Sequence, residues 1–272
     1  MALYKDEHQI KLVASDLDGT LLLNWVTKPN PKIFELVDRL AQQGVTFMAA
    51  SGRQHASLRK LFAPVADRIS YLCENGALVV HEGKTVAVNT MPHNLAMRIV
   101  RAVDEYPGAM AFISLAETSL VQAKDMDLAD HLVNITGNDV TVVPNFAHVD
   151  QPILKVAYRI AEDLMPASLE HFQQLFSHEC NVVTSGTIWT DFTMPGADKG
   201  TGLAQFSRAS GIAADQMIAF GDEMNDRSML DYVGHPYLMN SGNPQLRNLN
   251  DRMSYCDTVE GELERLLAEC TE

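Results

Sequence analysis

The residues best suited to chemistry lie in three short polar clusters, each of which directly follows an apolar run. The clusters are Asp16-Leu17-Asp18-Gly19-Thr20, Ser51-Gly52-Arg53 and Gly221-Asp222-Glu223-Met224-Asn225-Asp226. The apolar runs have the composition of strands that are buried on both faces of a parallel sheet. In such a sheet the ligand crevice lies beyond the carboxyl ends of the strands. We therefore expect Asp16, Ser51 and Asp222 to converge at one site, although they are distant in sequence.

Carboxylates that gather at one point repel each other and require a cation between them. An all-oxygen environment suits Mg²⁺, which usually takes one or two carboxylates together with waters and a substrate phosphate oxygen. Such a site suits phosphoryl transfer, with Ser51, neighbouring backbone amides and Lys199 as further donors to the phosphate. One carboxylate can act as a covalent nucleophile. A second acid two residues further along can protonate the leaving alcohol and then activate water.

The two ends of the chain alternate strands with helices. Apolar runs at 12–14, 45–50 and 71–73 predict strands, and helical patterns follow Pro31 and span about 54–63. The pattern resumes with a helix from Lys199, a strand at 217–220, a helix from about Asn225, strands at 237–239 and 253–255, and a terminal helix at 261–269. This alternation is typical of an α/β protein with a doubly wound parallel sheet.

The middle of the chain follows a different pattern. Predicted helices near 92–106, 126–134 and 166–177 are interspersed with strand-like runs at 111–115, 119–123, 140–143, 154–160 and 181–184. Strands that follow one another without an intervening helix indicate an α+β module with an antiparallel sheet. We therefore predict that residues 91–189 form a domain inserted into a first domain made of residues 1–90 and 190–272.

Composition and charge argue against several classes of protein. The 272 residues include 35 acidic and 21 basic side chains, which gives a formal net charge of −14. We expect no nucleic-acid partner, because binding to nucleic acid depends on clustered Lys and Arg. The four cysteines form no Cys-x-x-Cys pair, so we expect buried thiols instead of a zinc site or a disulfide framework. The sequence shows no signal region and no run of about 18 apolar residues. We therefore expect a cytoplasmic protein without a membrane partner, either a monomer or a homodimer.

The motifs and their order resemble those of a known superfamily. Asp16-Leu17-Asp18-Gly19-Thr20, Ser51, Lys199 and Gly221-Asp222-x-x-Asn225-Asp226 are similar to the four ordered motifs of the haloacid dehalogenase (HAD) superfamily. The inserted block resembles the type IIB cap of its Cof-like phosphatases, and the resemblance extends over nearly the whole chain. It implies a Rossmann-like core with an inserted α+β cap. It also implies a Mg²⁺-dependent phosphatase that hydrolyses a small soluble phosphomonoester, such as a sugar phosphate, a phosphorylated cofactor or a nucleotide, through an aspartyl-phosphate.

The resemblance also implies roles for individual residues. Asp16 would be the nucleophile and Asp18 the general acid and base. Asp16, the backbone carbonyl of Asp18, and Asp222 would hold the metal ion. The expected phosphate-binding residues are Ser51, Gly52, Lys199 and Asn225, and the expected supporting residues are Thr20, which braces the turn after the first strand, and Asp226, which supports the metal through its waters.

Several alternatives remain open from the sequence. A sugar phosphomutase shares the aspartyl chemistry, and a non-catalytic sensor could use the same pocket for a phosphate ligand. Arg53 is either adjacent to the phosphate or an ordinary surface residue. Asn75 either lines the pocket or belongs to a simple turn, Glu74-Asn75-Gly76.

Overall fold

A computed structural model of the protein describes residues 3–5, 8–24, 26–184 and 187–269. These residues divide into two compact units. Unit 1 lies within Met1–Arg53, Leu58–Ala87 and Asp198–Glu272, and unit 2 consists of Gln54–Ser57 and Val88–Ala197, apart from the residues that are not described.

The secondary structure is mixed in both units. The strands are β1 Tyr4–Lys5, β2 His8–Gln9, β3 Leu12–Ser15, β4 Thr46–Ala50, β5 Ser70–Cys73, β6 Leu78–His81, β7 Lys84–Val88, β8 Met110–Ser114, β9 Ser119–Gln122, β10 Val140–Val143, β11 Lys155–Arg159, β12 Asn181–Thr184, β13 Trp189–Thr193, β14 Met217–Gly221, β15 His235–Met239 and β16 Ser254–Cys256. The helices are α1 Lys32–Gln42, α2 His55–Leu61, α3 His93–Asp104, α4 Met126–Asn134, α5 Met165–Phe176, α6 Lys199–Ser210, α7 Arg227–Tyr232 and α8 Val259–Glu269.

The sheet of unit 1 has eight strands in the order β16-β15-β14-β3-β4-β5-β6-β7. Neighbouring strands from β16 to β5 run parallel, and β6 pairs with β5 in the antiparallel direction. Every residue of the central strands β3 and β14 is buried, which explains their continuous apolar composition. The predicted parallel α/β sheet is thus confirmed. The carboxyl ends of β14, β3 and β4 lie side by side at one end of this sheet.

Local sequence explains how two helices of unit 1 begin and end. Helix α1 packs its apolar stripe inward, and Gly44 follows it with φ +75°, the left-handed conformation that commonly ends a helix. Helix α6 begins after Asp198, whose carboxylate accepts a 2.9 Å hydrogen bond from the backbone N–H of Thr201. This cap fixes the first turn of α6, where Lys199 lies.

The sheet of unit 2 has six strands in the order β10-β9-β8-β11-β13-β12. Its pairs are antiparallel except for β9 and β10, which run parallel. A large apolar core contains Ile99 of α3, Phe172 of α5 and Phe192 of β13, and a smaller cluster contains Leu128 and Leu132 of α4. Unit 2 is therefore an α+β module with a mainly antiparallel sheet.

The structure differs from the sequence prediction at the end of the inserted segment. The sequence pattern predicts a return to the first domain at residue 190, whereas unit 2 continues through β13 to Ala197. Strand β13 pairs with both β11 and β12, so it lies inside the sheet of unit 2. Three of the five residues in its sequence, Trp-Thr-Asp-Phe-Thr, are polar, so the sequence pattern does not predict a buried strand here. Asp191 is nevertheless buried, with its carboxylate 3.2 Å from Lys155 Nζ.

Cysteine placement agrees with the expectation of buried thiols. Cys73, Cys180 and Cys256 are buried and free, and Cys270 lies outside the described residues. No helix in the described part of the chain has both the length and the apolar character that crossing a bilayer would require.

Candidate active site

The three predicted clusters meet in unit 1. Asp16 directly follows β3, Ser51 directly follows β4, and Asp222 directly follows β14. Because β14, β3 and β4 are consecutive in a parallel sheet, these three side chains start from neighbouring strand ends. Residues that are about two hundred positions apart in sequence are thus in direct contact: the Thr20 hydroxyl donates a 2.7 Å hydrogen bond to Asp222 Oδ1.

Lys199 lies at the centre of this group. Its side chain is fully buried, and its Nζ donates to Asp16 Oδ1 and to Asp226 Oδ1, each at 2.5 Å. The second oxygen of Asp226 accepts hydrogen bonds from the backbone N–H groups of Asp222 and Glu223, at 2.9 and 3.1 Å. Asp226 therefore connects the lysine directly to the loop after β14. The resemblance implies that Asp226 supports the metal through its waters, and the direct bond to Lys199 adds a second role that the motif alone does not indicate.

Burial has the largest influence on the titration of this cluster. Burial raises the pKa of Asp16 well above the ordinary value of 3.8. The negative charge of Asp226 raises this pKa further, and the positive charge of Lys199 lowers it. Burial likewise raises the pKa of Asp222. For Lys199, burial alone would lower the pKa, but Asp16 and Asp226 outweigh it and raise the pKa. The ammonium group is therefore charged, while Asp16 and Asp222 hold protons more tightly than exposed aspartates do.

The turn after β3 brings its backbone against Asp222. Gly19 has φ +93°, and a Cβ placed there would lie 2.2 Å from Asp222 Oδ2. Any other residue at position 19 would thus face both an unfavourable backbone conformation and a collision with the carboxylate. The glycine allows the chain to turn away from β3 and leaves room for Asp222.

Asp18 is paired with Arg53. Arg53 donates from Nε to Asp18 Oδ2 at 2.9 Å and from Nη2 to Oδ1 at 2.5 Å, so both oxygens of the carboxylate are engaged. The Asp18 side chain is 58% exposed, in contrast to the buried Asp16. The pair shows that Arg53 belongs to the site. The sequence offered a weak signal for it, namely its position directly after Ser51-Gly52.

The loop after β4 is held by the loop after β5. The backbone N–H of Asn75 donates to the carbonyl of Ser51 at 3.1 Å, and the Asn75 amide lies against Gly52, about 3.1 Å from where a Cβ would stand. Asn225 Nδ2 donates to Asn75 Oδ1 at 3.3 Å. The predicted phosphate-binding residues Ser51, Gly52 and Asn225 are thus joined through Asn75. Sequence reasoning noted Asn75 only as an open possibility.

The carboxylates fit a divalent cation. One oxygen from each of Asp16, Asp222 and Asp226 lies within 4.8 Å of the other two. An all-carboxylate donor set at the end of a buried strand suits a hard cation with oxygen ligands. Of the residues that the sequence predicted as ligands, Asp16 and Asp222 belong to this group. The Asp18 carboxylate pairs with Arg53 instead, consistent with the expectation that Asp18 would contribute only its backbone carbonyl.

Comparison with known proteins identifies the class of this chain. Residues 13–261 match the sequence profile of the haloacid dehalogenase-like hydrolases. The matched segment contains all four motifs and covers far more than half of the chain. The protein therefore belongs to this family, as its motifs predicted.

Individual relatives support the same assignment. The chain is 28% identical over 231 residues to the 5-amino-6-(5-phospho-D-ribitylamino)uracil phosphatase YbjI of Escherichia coli, with 85% of each chain covered. It is 28% identical over 236 residues to the pyridoxal phosphate phosphatase YbhA of the same organism, with 82% of this chain and 85% of the relative covered. A solved sugar phosphatase of HAD subclass IIB has the same fold, with a TM-score of 0.75, 18% identity, and 94% of this chain and 98% of its own chain covered. The predicted family, fold class and enzyme class, a HAD-type phosphatase, are thereby confirmed.

Proposed function

We propose that the protein is a Mg²⁺-dependent phosphatase that hydrolyses a small soluble phosphomonoester through a covalent phosphate ester of Asp16. The buried Lys199, bonded to both Asp16 and Asp226 beside Asp222, is the observation that carries the proposal. A fully buried lysine among three carboxylates contributes little to folding that apolar residues could not supply. The arrangement suits a site that must bind and transfer a strongly negative group.

The first chemical step uses Asp16 as the nucleophile. Lys199 engages Oδ1 of Asp16, and the second oxygen is the one we expect to attack phosphorus. As that oxygen forms its bond to phosphorus, the bond to the leaving oxygen breaks, and Asp18 donates the proton that the leaving alkoxide needs. Because Arg53 engages both oxygens of Asp18, this pair must open when Asp18 acts as an acid.

The second step releases the phosphate. Asp18, now ionised, takes a proton from a water molecule, whose oxygen attacks phosphorus and restores the Asp16 carboxylate. Ser51, the backbone around Gly52, Lys199 and Asn225 are the proposed donors to the phosphate oxygens in both steps. A bound Mg²⁺ would be held by Asp16, the Asp18 carbonyl and Asp222, with Thr20 and Asp226 in support, and would offset the charge on the phosphate.

The names of the relatives suggest where to look for the substrate. Those of YbjI and YbhA describe monophosphate esters of small nitrogen heterocycles. We propose such phosphorylated cofactors and their precursors, together with sugar phosphates, as the first compounds to test. We further propose that unit 2 corresponds to the cap domain predicted at residues 91–189.

The test of the nucleophile is the Asp16→Asn variant. We expect phosphate release from p-nitrophenyl phosphate with Mg²⁺ to fall to background, because the amide cannot attack phosphorus. Asp163→Asn, the same substitution at an exposed residue of unit 2, should retain wild-type turnover. Full activity of Asp16→Asn would show that the nucleophile is assigned wrongly.

Product analysis separates hydrolysis from phosphoryl transfer between sugar positions. With a hexose 1-phosphate as substrate, we expect free phosphate in an amount equal to the sugar released. An isomerised sugar phosphate with little free phosphate would favour a mutase. Tight binding of phosphate esters without any turnover would favour a sensor.

A further inference from the structure

The segment after β5 has an unusual backbone. Glu74 and Asn75 have φ values of +51° and +54°, and Gly76 follows with +99°. Left-handed conformation is uncommon for residues other than glycine, and two such residues in succession are costly. Strain of this kind persists where the surroundings enforce it, and it concentrates at functional sites. The conformation of this segment is therefore expected to serve the neighbouring site.

Several contacts of this segment reach the predicted phosphate-binding residues or their immediate neighbours. Asn75 donates its N–H to the Ser51 carbonyl and packs its amide against Gly52. Its Oδ1 accepts the hydrogen bond from Asn225. Gly76 lies against the start of α6, since a Cβ there would be 2.2 Å from the Asp198 carbonyl, one residue before Lys199.

The contact between Asn75 and Asn225 joins two loops whose strands are not neighbours in the sheet. Asn75 follows β5 and Asn225 follows β14, and the strands β3 and β4 lie between them in the sheet. Three strand spacings separate β5 from β14, a distance of about 14 Å. The two asparagines nevertheless meet, so their loops lean toward each other across the strand ends that carry Asp16 and Ser51.

We propose that Asn75 is a positioning residue for phosphate: its left-handed backbone and its amide hold the Ser51-Gly52 loop and Asn225 in one fixed arrangement around the phosphate position. The inference rests on the phosphatase function proposed above and deepens it. Asparagine suits this role because it tolerates the left-handed conformation better than most residues with a side chain, and glycine would lack the amide.

The competing explanation is a turn that only needs a residue tolerant of positive φ. The substitution Asn75→Gly separates the two, because glycine keeps the backbone conformation and removes only the amide. With p-nitrophenyl phosphate and Mg²⁺, we expect kcat/KM to fall about tenfold, the scale of one lost hydrogen bond. The inhibition constant for inorganic phosphate should rise in parallel. The thermal midpoint should stay at the wild-type value or rise, which a purely structural role for the amide would not allow.

A matched control is available in the hairpin between β6 and β7. Glu82 is also a non-glycine residue with positive φ, +50°, and it lies outside the candidate site. Glu82→Gly relieves the same kind of backbone strain and should leave kcat/KM and phosphate inhibition unchanged. Asn75→Gly with kcat/KM within about twofold of wild type would reduce Asn75 to a turn residue and overturn the proposal.

A double-mutant cycle tests whether Asn75 acts through Asn225. In an Asn225→Ala background, Asn75→Gly should weaken phosphate binding less than it does in the wild type, because the bond between the two amides is already lost. Full additivity would overturn the proposed connection. Binding of inorganic phosphate, measured by calorimetry with Mg²⁺ present, gives the same comparison without turnover. A wild-type protein that binds phosphate but turns over no ester would count against the phosphatase function and would still decide the role of Asn75.

Discussion

Replacing Lys199 with methionine removes the only cation that the structure places between Asp16 and Asp226 among the described residues. Methionine has nearly the same length as lysine and fills the same buried space, so the substitution changes charge more than packing. Asp226 is fully buried and Asp16 is 5% exposed, so bulk water compensates little for the lost ammonium group. Removing one partner of a buried ion pair typically costs about 3–5 kcal/mol of folding free energy. For a domain of this size that corresponds to a fall in the thermal midpoint of about 6–20 °C.

The loss of the buried ion pair also lowers the catalytic rate. Burial already raises the pKa of Asp16 while Lys199 holds it down. If the full 3–5 kcal/mol appeared in the ionisation of Asp16, its acid dissociation constant would fall by about 10²–10⁴. We therefore expect the Lys199→Met variant to lose at least about a hundredfold in kcat, because its nucleophile is more readily protonated and because the ammonium charge beside the reacting phosphate is gone.

The assays are thermal unfolding in the presence of EDTA and phosphate release with Mg²⁺. Lys32→Met is the control, because Lys32 forms an ion pair with Glu264 in which both side chains are 43% exposed. Exposed pairs contribute at most about 1 kcal/mol, so this variant should unfold within a few degrees of the wild type. In a double-mutant cycle, Asp226→Asn should be less harmful to Lys199→Met than to the wild type, because it removes a carboxylate that is already unpaired. A wild-type midpoint for Lys199→Met, or a kcat within tenfold of wild type, would refute the central role of this lysine.

Three further predictions concern the neighbouring residues. Asp18→Asn should slow the first step, release of the leaving group, by about 10²–10⁴ for alkyl phosphates and much less for p-nitrophenyl phosphate, because p-nitrophenolate leaves without a proton; single-turnover release of the leaving group measures this step apart from the later attack of water, and equal losses on both substrates would contradict the general-acid role. Gly19→Ala should abolish activity and destabilise the fold, because its Cβ would meet Asp222, whereas Gly44→Ala, at φ +75° with no atom within 4 Å, should lose only about 1–2 kcal/mol of stability and no activity. Without metal, the raised pKa of Asp222 means that the folded protein binds a proton more tightly than the unfolded chain. Its contribution to stability is therefore fully present below the ordinary pKa of 3.8 and is lost as the pH rises through the folded value. We expect the free energy of unfolding in EDTA to fall less steeply with pH in Asp222→Asn than in the wild type, and chemical denaturation at several pH values checks this.

The positions of the chemical groups could be predicted because they depend on strand ends. A buried parallel strand is readable as a continuous apolar run, and the residue that follows it must lie at the end of the sheet. Asp16, Ser51 and Asp222 were located in this way. Strand β13 escaped the same reasoning, because the buried charge of Asp191 faces Lys155 on a strand more than thirty residues earlier. The sequence shows that Asp191 is polar, but it does not show that the fold places Lys155 beside it.

Partnerships between side chains were harder to predict than positions. Nothing local indicates that Arg53 binds Asp18, or that Asn75 meets Asn225 across two intervening strands. Both contacts depend on the direction that each loop takes after its strand ends. Backbone conformations such as the positive φ of Asn75 set that direction. The motif residues are thus predictable from type and order, whereas the residues that orient them require coordinates.

The charges of the cluster provide an independent argument for a divalent cation. Asp16, Asp222 and Asp226 carry three negative charges when ionised, and Lys199 carries one positive charge. Asp18 and Arg53 neutralise each other in their own pair. Two negative charges therefore remain unbalanced in a largely buried site, and their mutual repulsion adds to burial, the larger cause, in raising the pKa of Asp16 and of Asp222. A single divalent cation would balance this excess, so that Asp16 could remain ionised as a nucleophile while a phosphate dianion approaches.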